Sequence, residues 1–190
     1  MINLIAASVL LATASVAMAD NSGFYAGVLA GYGKVNYTNS ANNDNVVSKN
    51  HGIDGGINAG YMFNDNFGVE TGFIQYSKIK LTDSSNLGSI TKNYNLYVAG
   101  VAKYDFTNQF NVFGKLGIAD VHTKTPTGLA SDDNVAITAG GHSKLTLFAG
   151  AGVGYKVTQN IQLSVEGDMT TKTGQIPSMF STNIGLTYLF

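Results

Sequence analysis

Apolar and polar residues alternate with a period of two along most of the chain after residue 19. The first such segment places Phe24, Val28 and Tyr32 on one face and Gly27 and Gly31 on the other. Successive side chains of a β-strand point to opposite sides of the sheet, so this pattern predicts strands rather than helices. We predict eight strands, over residues 24–33, 54–63, 67–73, 95–106, 110–118, 144–157, 161–169 and 180–190.

The two faces of these predicted strands differ in a way that bears on their surroundings. None of the apolar faces carries an Asp, Glu, Lys or Arg, and the opposite faces hold mostly small and uncharged polar residues with few charges. A soluble sandwich or lipocalin-like barrel, which is the alternative, would need dense charge on its outer face. Small residues suit a narrow lumen, and the apolar face then contacts lipid. The predicted fold class is all-β, an eight-stranded antiparallel up-and-down transmembrane β-barrel.

The connections between strands form two classes. Three are short and resemble one another, at residues 61–67, 104–110 and 155–161, whereas longer polar segments occupy approximately residues 38–50, 82–92, 123–141 and 171–178. Short turns alternating with long loops are typical of a bacterial outer-membrane barrel, with the turns in the periplasm and the loops outside. Aromatic residues near the short turns are expected to form an interfacial girdle. These residues are Tyr61, Phe63, Phe67, Tyr104, Phe106, Phe110 and Tyr155.

The N-terminus has the features of an export signal. Residues 4–16 are almost uninterruptedly apolar, and Ala17, Met18 and Ala19 follow in the small-x-small pattern that signal peptidase cleaves. The segment before residue 4 lacks the usual positive side chain, since the first lysine is Lys34. We predict a signal peptide over residues 1–19 and a barrel domain over 20–190, with a retained membrane anchor as the alternative.

Composition narrows the range of chemistry. Charged residues make up 12% of the chain, and this is half the roughly 25% of an ordinary soluble domain. The absence of cysteine excludes disulfides and thiolate metal sites, and a net charge of −1 gives no reason to expect nucleic acid as a partner. We expect no cofactor and no metal.

Three runs carry a family resemblance that covers nearly all of residues 20–190. Residues 23–32, 67–73 and 183–190 resemble the outer-membrane protein A / opacity-protein type of eight-stranded barrel. This resemblance implies the outer membrane of a Gram-negative bacterium, with outer-membrane lipid and lipopolysaccharide as partners. It implies no peptidoglycan-binding domain here, because the chain stops at the last predicted strand. The C-terminal pattern is similar to the signal that the barrel-assembly machinery receives, at Ile184, Leu186, Tyr188 and Phe190.

Three charged residues fall on the inner face of the predicted barrel. Glu70 lies three residues beyond its turn, and Lys115 and Glu166 lie five residues beyond theirs, so the three are expected at similar depth. The resemblance implies that they form ion pairs which occlude the lumen. The other charges of that family's gate are missing here, because Val101, Gly154 and Ser164 stand at their positions. The simpler interpretation is that these buried charges only neutralise one another. The alternative is that they form a gate which controls ion conductance through the lumen.

The residues offer little for catalysis or metal binding. Neighbouring residues of a strand face opposite ways, so His142 and Ser143 cannot form a nucleophile–base pair. His51 and His122 fall on the outward register with no acid placed beside them. Asp132 and the following aspartate could hold a cation, but a solvated loop is the preferred interpretation. We expect no catalytic residue and no metal ligand.

The leading hypothesis for function is a non-enzymatic outer-membrane surface barrel. Its strands anchor it and support the envelope, while its loops contact a host or cell-surface ligand. One alternative is a small, low-conductance pore, because the many glycines could leave narrow cavities in the lumen. A lipid A-modifying enzyme is the other alternative.

Overall fold

The computed structural model describes residues 23–36, 48–49, 51–82, 88–124, 141–173 and 178–190. The predicted signal peptide, the central parts of the long polar segments and Asp132 lie outside the described residues. Within the described part, the long strands are β1 (Gly23–Asn36), β2 (His51–Met62), β3 (Phe67–Thr82), β4 (Gly88–Asp105), β5 (Phe110–Lys124), β6 (Gly141–Lys156), β7 (Ile161–Thr170) and β8 (Ser178–Leu189).

These strands close into a single antiparallel barrel. Each strand pairs with its neighbours in the chain, and β8 pairs with β1, where Ala26 lies opposite Tyr188. The amide of Phe190 donates a hydrogen bond of 2.9 Å to the carbonyl of Phe24 and extends this closure by one residue. The predicted fold class is confirmed. A two-residue strand, Ser48–Lys49, also pairs with β3. The described part of the chain contains no helix with the length and hydropathy of a membrane span.

The three short turns share one hydrogen-bonding scheme. In the first turn, Asn64 Oδ1 accepts hydrogen bonds from the amides of Asn66 and Phe67 at 2.9 and 2.8 Å. Thr107 Oγ1 and Thr158 Oγ1 occupy the equivalent position and accept from the amides two and three residues further along. A short polar side chain at this position stabilises a tight turn by satisfying amides that no strand partner reaches. The repeated sequence therefore encodes a repeated local structure.

The apolar face of every strand lies on the outside of the barrel. Ile53 is 77% exposed and Leu116 is 70% exposed, whereas Tyr97 and Phe148, on the inner face, are 1% and 0% exposed. A surface of this kind is costly in water and favourable in hydrocarbon. The direction predicted for the faces is confirmed.

One predicted connection is much shorter than expected. β3 continues to Thr82 and β4 begins at Gly88, so most of the expected polar segment 82–92 is strand. The two strands pair through a register shift between Tyr76 and Ile79. Polar residues continue the backbone ladder beyond the apolar belt, where both faces are free to be polar. For the same reason β5 runs to Lys124 and β6 begins at Gly141.

Candidate functional site in the lumen

Glycines on the inner face make room for the larger side chains of the lumen. Glu70 on β3 stands between Gly68 and Gly72, and the Tyr97 ring occupies the space in which a side chain at Gly72 would lie. Two side chains can thus approach the barrel axis at one level. Because the alternating glycines have no side chains, they leave space that is filled by side chains of neighbouring strands.

Glu70 is the hydrogen-bond acceptor at the centre of the lumen. Its Oε1 accepts from the Tyr97 hydroxyl at 2.6 Å, and its Oε2 accepts from the Tyr25 hydroxyl at 2.9 Å and from Asn58 Nδ2 at 3.1 Å. The donors belong to three different strands, β1, β2 and β4. Because Glu70 is 3% exposed, these bonds replace the water that a carboxylate would otherwise require.

Lys115 on β5 connects this centre to the opposite wall. Its Nζ lies 2.8 Å from Glu70 Oε1 and 2.9 Å from Glu166 Oε2. All three side chains are at least 97% buried. The structure therefore brings together the three charges that the sequence placed at similar depth. We call Glu70, Lys115, Glu166, Tyr25 and Asn58 the polar layer.

Further carboxylates, which were not predicted from the sequence, lie in the lumen. Asp168 on β7 accepts a hydrogen bond of 3.0 Å from Asn183 Nδ2, and its other oxygen has no hydrogen-bond partner. Asp54 on β2 is 3% exposed and neither of its oxygens has a hydrogen-bond partner. Among the described buried residues, four carboxylates accompany one ammonium group, that of Lys115. The lumen thus has an excess of acidic groups.

A second layer, which is apolar, crosses the lumen next to the polar layer. The rings of Tyr97 and Phe148 stack with centroids 4.1 Å apart and planes 9° from parallel. Tyr97 connects the two layers, since its hydroxyl donates a hydrogen bond to Glu70 of the polar layer while its ring packs on Phe148. The other buried residues of this apolar layer are Leu29, Ile74, Tyr76, Ala99, Ala119, Val121 and Met179.

The apolar layer was not predicted from the sequence, although the chain carries a signal for it. Phe73 and Ile74, Tyr97 and Val98, and Leu147 and Phe148 are consecutive large apolar residues on β3, β4 and β6. Two such residues in a row place one side chain on each face. Where several strands share this feature, the inner face is apolar too. The expected lumen of small and charged residues is therefore only part of the interior.

The predicted interfacial aromatics lie at the turn end of the barrel and form ring pairs there. Phe110 and Tyr155 have centroids 4.8 Å apart, and Tyr61 and Phe63 have centroids 5.7 Å apart. At the same end, Lys103 and Lys156 each lie 3.4 Å from Asp105 Oδ2. The exposed members of the predicted set are Phe63, Phe67, Tyr104, Phe106, Phe110 and Tyr155.

The C-terminal pattern faces outward from β8. Ile184, Leu186 and Tyr188 are 65%, 49% and 49% exposed, and the Tyr188 and Phe190 rings meet edge to face at 4.9 Å. These side chains are accessible from outside the barrel. Their role as an assembly signal stays a prediction.

One histidine has an acidic neighbour that was not predicted from the sequence. His122 Nδ1 lies 3.6 Å from Asp120 Oδ2 because both residues face outward on β5, two positions apart. The His122 ring stacks on Tyr94 at 4.8 Å, and Ser143 of β6 is directly opposite His122. The expectation that no acid lies beside any histidine was wrong for this one. His51 contacts the Tyr32 hydroxyl, and the side chain of His142 lies outside the described part.

The chain is similar to known outer-membrane barrel proteins both in sequence and in fold. The family model described as "Outer membrane protein beta-barrel domain" matches residues 4–190. A similar protein is an uncharacterized protein of Coxiella burnetii, 32% identical over 215 residues that cover 90% of this chain and 86% of the relative.

Two solved structures share the fold. The Neisserial surface protein A structure has a TM-score of 0.64 at 17% identity and covers 89% of this chain and 98% of its own. Ail, the attachment invasion locus protein of Yersinia pestis, was solved in complex with the heparin analogue sucrose octasulfate. It has a TM-score of 0.56 at 16% identity and covers 88% and 99% of the two chains.

Proposed function

Because this chain belongs to the outer-membrane β-barrel protein family and lies in the outer membrane, we propose that it is a non-enzymatic surface barrel with a sealed lumen. Its strands anchor it in the lipid and its extracellular loops make contact with a host or cell-surface ligand. The observation that carries this proposal is the pair of layers in the lumen. Side chains from β1, β2, β3, β4, β5 and β7 meet in the polar layer and its partners, so little space is left for a solute.

The loops are the remaining surface through which such a protein acts. Loops supported on a rigid barrel often carry binding residues. The structural neighbour Ail is named an attachment invasion locus protein, and this supports an attachment role for the present chain as a proposal.

Loop replacement in intact cells tests this proposal. Each of the segments 37–47, 83–87, 125–140 and 174–177 is replaced in turn by a Gly-Ser linker, and binding of the cells to a host-cell surface is measured. Heat-modifiable migration on a gel checks that each variant is folded, and replacement of the periplasmic turn 63–66 is the matched control. We expect at least one loop variant to lose binding. Unchanged binding in every one of the four single-loop variants would contradict the proposal.

The acidic excess of the lumen favours a second candidate, a narrow cation-selective pore. Asp54 and Asp168 hold oxygens without hydrogen-bond partners, and a passing cation would be stabilised there. Potassium flux from liposomes that contain the purified protein distinguishes this candidate from a sealed barrel. Flux above that of protein-free liposomes, reduced in Asp54→Asn, supports the pore. Flux equal to the protein-free value supports the sealed barrel.

The Asp120, His122 and Ser143 cluster favours a third candidate, hydrolysis of an acyl ester of outer-leaflet lipid. The order acid, imidazole and hydroxyl is the one that nucleophilic catalysis needs. The structure records no hydrogen bond between any two of these three described side chains, and this weighs against the candidate. Mass spectrometry of lipid A from cells with the wild-type protein or Ser143→Ala decides it. Equal acyl patterns remove the enzyme.

A further inference from the structure

The buried charges of the lumen do not balance one another. Lys115 lies 2.8 Å from Glu70 and 2.9 Å from Glu166, whereas Asp54 and Asp168 have no cation within ion-pair distance in the described part of the chain. Asp54 is 3% exposed and Asp168 is 1% exposed. A carboxylate removed from water in this way is costly unless a counter-charge or a hydrogen-bond donor replaces the water.

Asp54 and Asn183 approach the inner surface of β1 from opposite sides. Gly31 of β1 lies opposite Asp54 of β2 in one ladder and opposite Asn183 of β8 in the other. A side chain at Gly31 would collide with Asn183 Oδ1, and a side chain at Gly33 would collide with Asp54 Oδ2. The two oxygens therefore lie over successive inward positions of β1, in space that glycine leaves free. We call Asp54, Asn183, Gly31 and Gly33 the β1 site.

Hydrogen bonds fix the direction in which the amide oxygen of Asn183 points. Asn183 Nδ2 donates to Asp168 Oδ2 at 3.0 Å and to Ser181 Oγ at 3.1 Å. The nitrogen is the donor of this side chain, so its two bonds determine the position of the oxygen. That oxygen, Oδ1, faces Gly31 and has no hydrogen-bond partner among the described residues.

The ring of Tyr76 covers the β1 site on the side of β3. The ring lies beside Gly33, 3.0 Å from the position that a Cβ atom would occupy there, and Tyr76 is buried. Its hydroxyl accepts a hydrogen bond of 3.1 Å from Asn95 Nδ2. Asp54 thus lies between a glycine and an aromatic ring, and neither of them donates a hydrogen bond to its carboxylate.

The atoms of the β1 site that lack a partner among the described residues are all oxygens. They are Asp54 Oδ1, Asp54 Oδ2 and Asn183 Oδ1. Carboxylate and amide carbonyl oxygens are ligands of hard cations, and Ca²⁺ takes both at about 2.4 Å, so one ion joins oxygens about 5 Å apart. Charge favours a divalent ion, because Asp54 and Asp168 are both without an ion pair to Lys115.

We propose that the lumen of this barrel holds a calcium ion at the β1 site, bound by the Asp54 carboxylate and by Asn183 Oδ1. Backbone carbonyls or water supply the remaining ligands. Asp54 lies four residues on the loop side of Asn58, which bonds Glu70 in the polar layer, so the ion reaches the site without crossing that layer. The ion is held in a sealed barrel, and the inference is therefore independent of any ligand at the loops.

Calcium binding to the full chain tests this inference. The protein is purified in a non-ionic detergent free of lipid, so that lipid phosphates do not bind the metal, and radioactive Ca²⁺ is measured by equilibrium dialysis. Asp54→Asn keeps the shape of the side chain and removes its charge, and Asn183→Ala removes the other ligand. Asp120→Asn, at an aspartate on the outer face, is the matched control. Asp132→Asn with Asp133→Asn controls for calcium bound by the loop.

We expect about one bound calcium ion per wild-type chain, and an affinity at least about tenfold weaker in Asp54→Asn and Asn183→Ala, while both controls stay within about twofold. Calcium should raise the urea midpoint of the wild type and leave that of Asp54→Asn unchanged, because a ligand of the folded state stabilises it. Without calcium, Asp54→Asn should unfold at a urea concentration no lower than the wild type, since a neutral amide needs no counter-ion.

Three results would overturn the proposal. A wild-type chain that binds no calcium and shows no shift of its urea midpoint would mean that Asp54 is satisfied by a proton or by water. Binding that is lost in the loop control and kept in Asp54→Asn would locate the ion in the loop. Equal stabilisation by Na⁺ and Ca²⁺ at matched ionic strength would indicate a monovalent ion or a general salt effect. Each of these results leaves the binding of cells through the loops, which is measured separately, unaffected.

Discussion

The two layers of the lumen fill the interior of the same barrel through different kinds of interaction. In the polar layer, Glu70 and Lys115 satisfy each other and their neighbours through short, charged hydrogen bonds. In the apolar layer, Phe148 and Ile74 have no polar side-chain atoms and fill space by contact alone. The difference shows that Glu70 and Lys115 depend on a few specific partners, whereas the apolar layer depends on the volume that its side chains fill.

The largest expected effect comes from removing the single cation of the polar layer. Lys115→Met leaves Glu70 and Glu166 buried without their counter-charge, so the free energy of unfolding should fall by about 4 kcal/mol. Urea unfolding in lipid vesicles measures this change. Lys156→Met, at the turn end, is the control and should cost less than about 1 kcal/mol. Equal losses in the two variants would show that the buried ion pairs of the lumen stabilise the barrel no more than an ion pair at its turn end.

Truncation in the apolar layer should cost somewhat less. Phe148→Ala removes a fully buried ring that stacks on Tyr97, and the expected loss is about 3 kcal/mol in the same assay. Leu147→Ala, the adjacent residue on the outer face, is the matched control. Lipid fills the space left by Leu147, so its loss should be much smaller. A larger loss for Leu147→Ala would contradict the assignment of the two faces.

A single donor to Glu70 should be worth less than either of these. Tyr25→Phe removes the hydroxyl that donates to Glu70 Oε2, while Asn58 still donates to the same oxygen. We expect a loss of about 2 kcal/mol, as is usual for hydrogen bonds to charged groups. Combining Tyr25→Phe with Lys115→Met tests the coupling between them. Strictly additive losses would show that the two contacts do not belong to one network.

The smallest effects concern glycine, and they separate the inner face from the outer one. A side chain at Gly117, on the inner face, would collide with the backbone at Val98 and Ala99. A side chain at Gly100, on the outer face, would come no closer than 3.8 Å to the carbonyl of Leu116. Gly117→Ala should cost about 1 kcal/mol or more, and Gly100→Ala about zero, by the same urea titration. Similar losses of unfolding free energy at Gly117 and Gly100 would contradict their assignment to the inner and outer faces.

The sequence predicts the exterior of this barrel better than its interior. Alternation along one strand is enough to identify the lipid-facing residues, such as Val28 and Leu147, because hydrocarbon is a uniform environment. The interior depends on how the strands are staggered around the axis, which no single strand reveals. The shared depth of Glu70, Lys115 and Glu166 was accessible by counting from the turns.

Other interior features could not be obtained in this way. Asp54 and Asp168 are farther from their turns, where the stagger decides which residues meet. The stack of Tyr97 on Phe148 joins strands that are not neighbours in the barrel, β4 and β6, so no ladder pairing predicts it. The ends of β3 and β4 were misplaced because polar residues beyond the lipid are compatible with either strand or loop.

We propose that the two layers seal the lumen in series, and single-channel recording in planar bilayers distinguishes this arrangement from an open lumen. The proteins compared are the wild type, Glu70→Ala with Lys115→Ala, Phe148→Ala with Ile74→Ala, and a variant with all four changes, each first shown to be folded by heat-modifiable migration. We expect steady openings only for the fourfold variant, since either remaining layer blocks the path. Steady openings in the wild type, or in the polar-layer variant at the level of the fourfold variant, would contradict it.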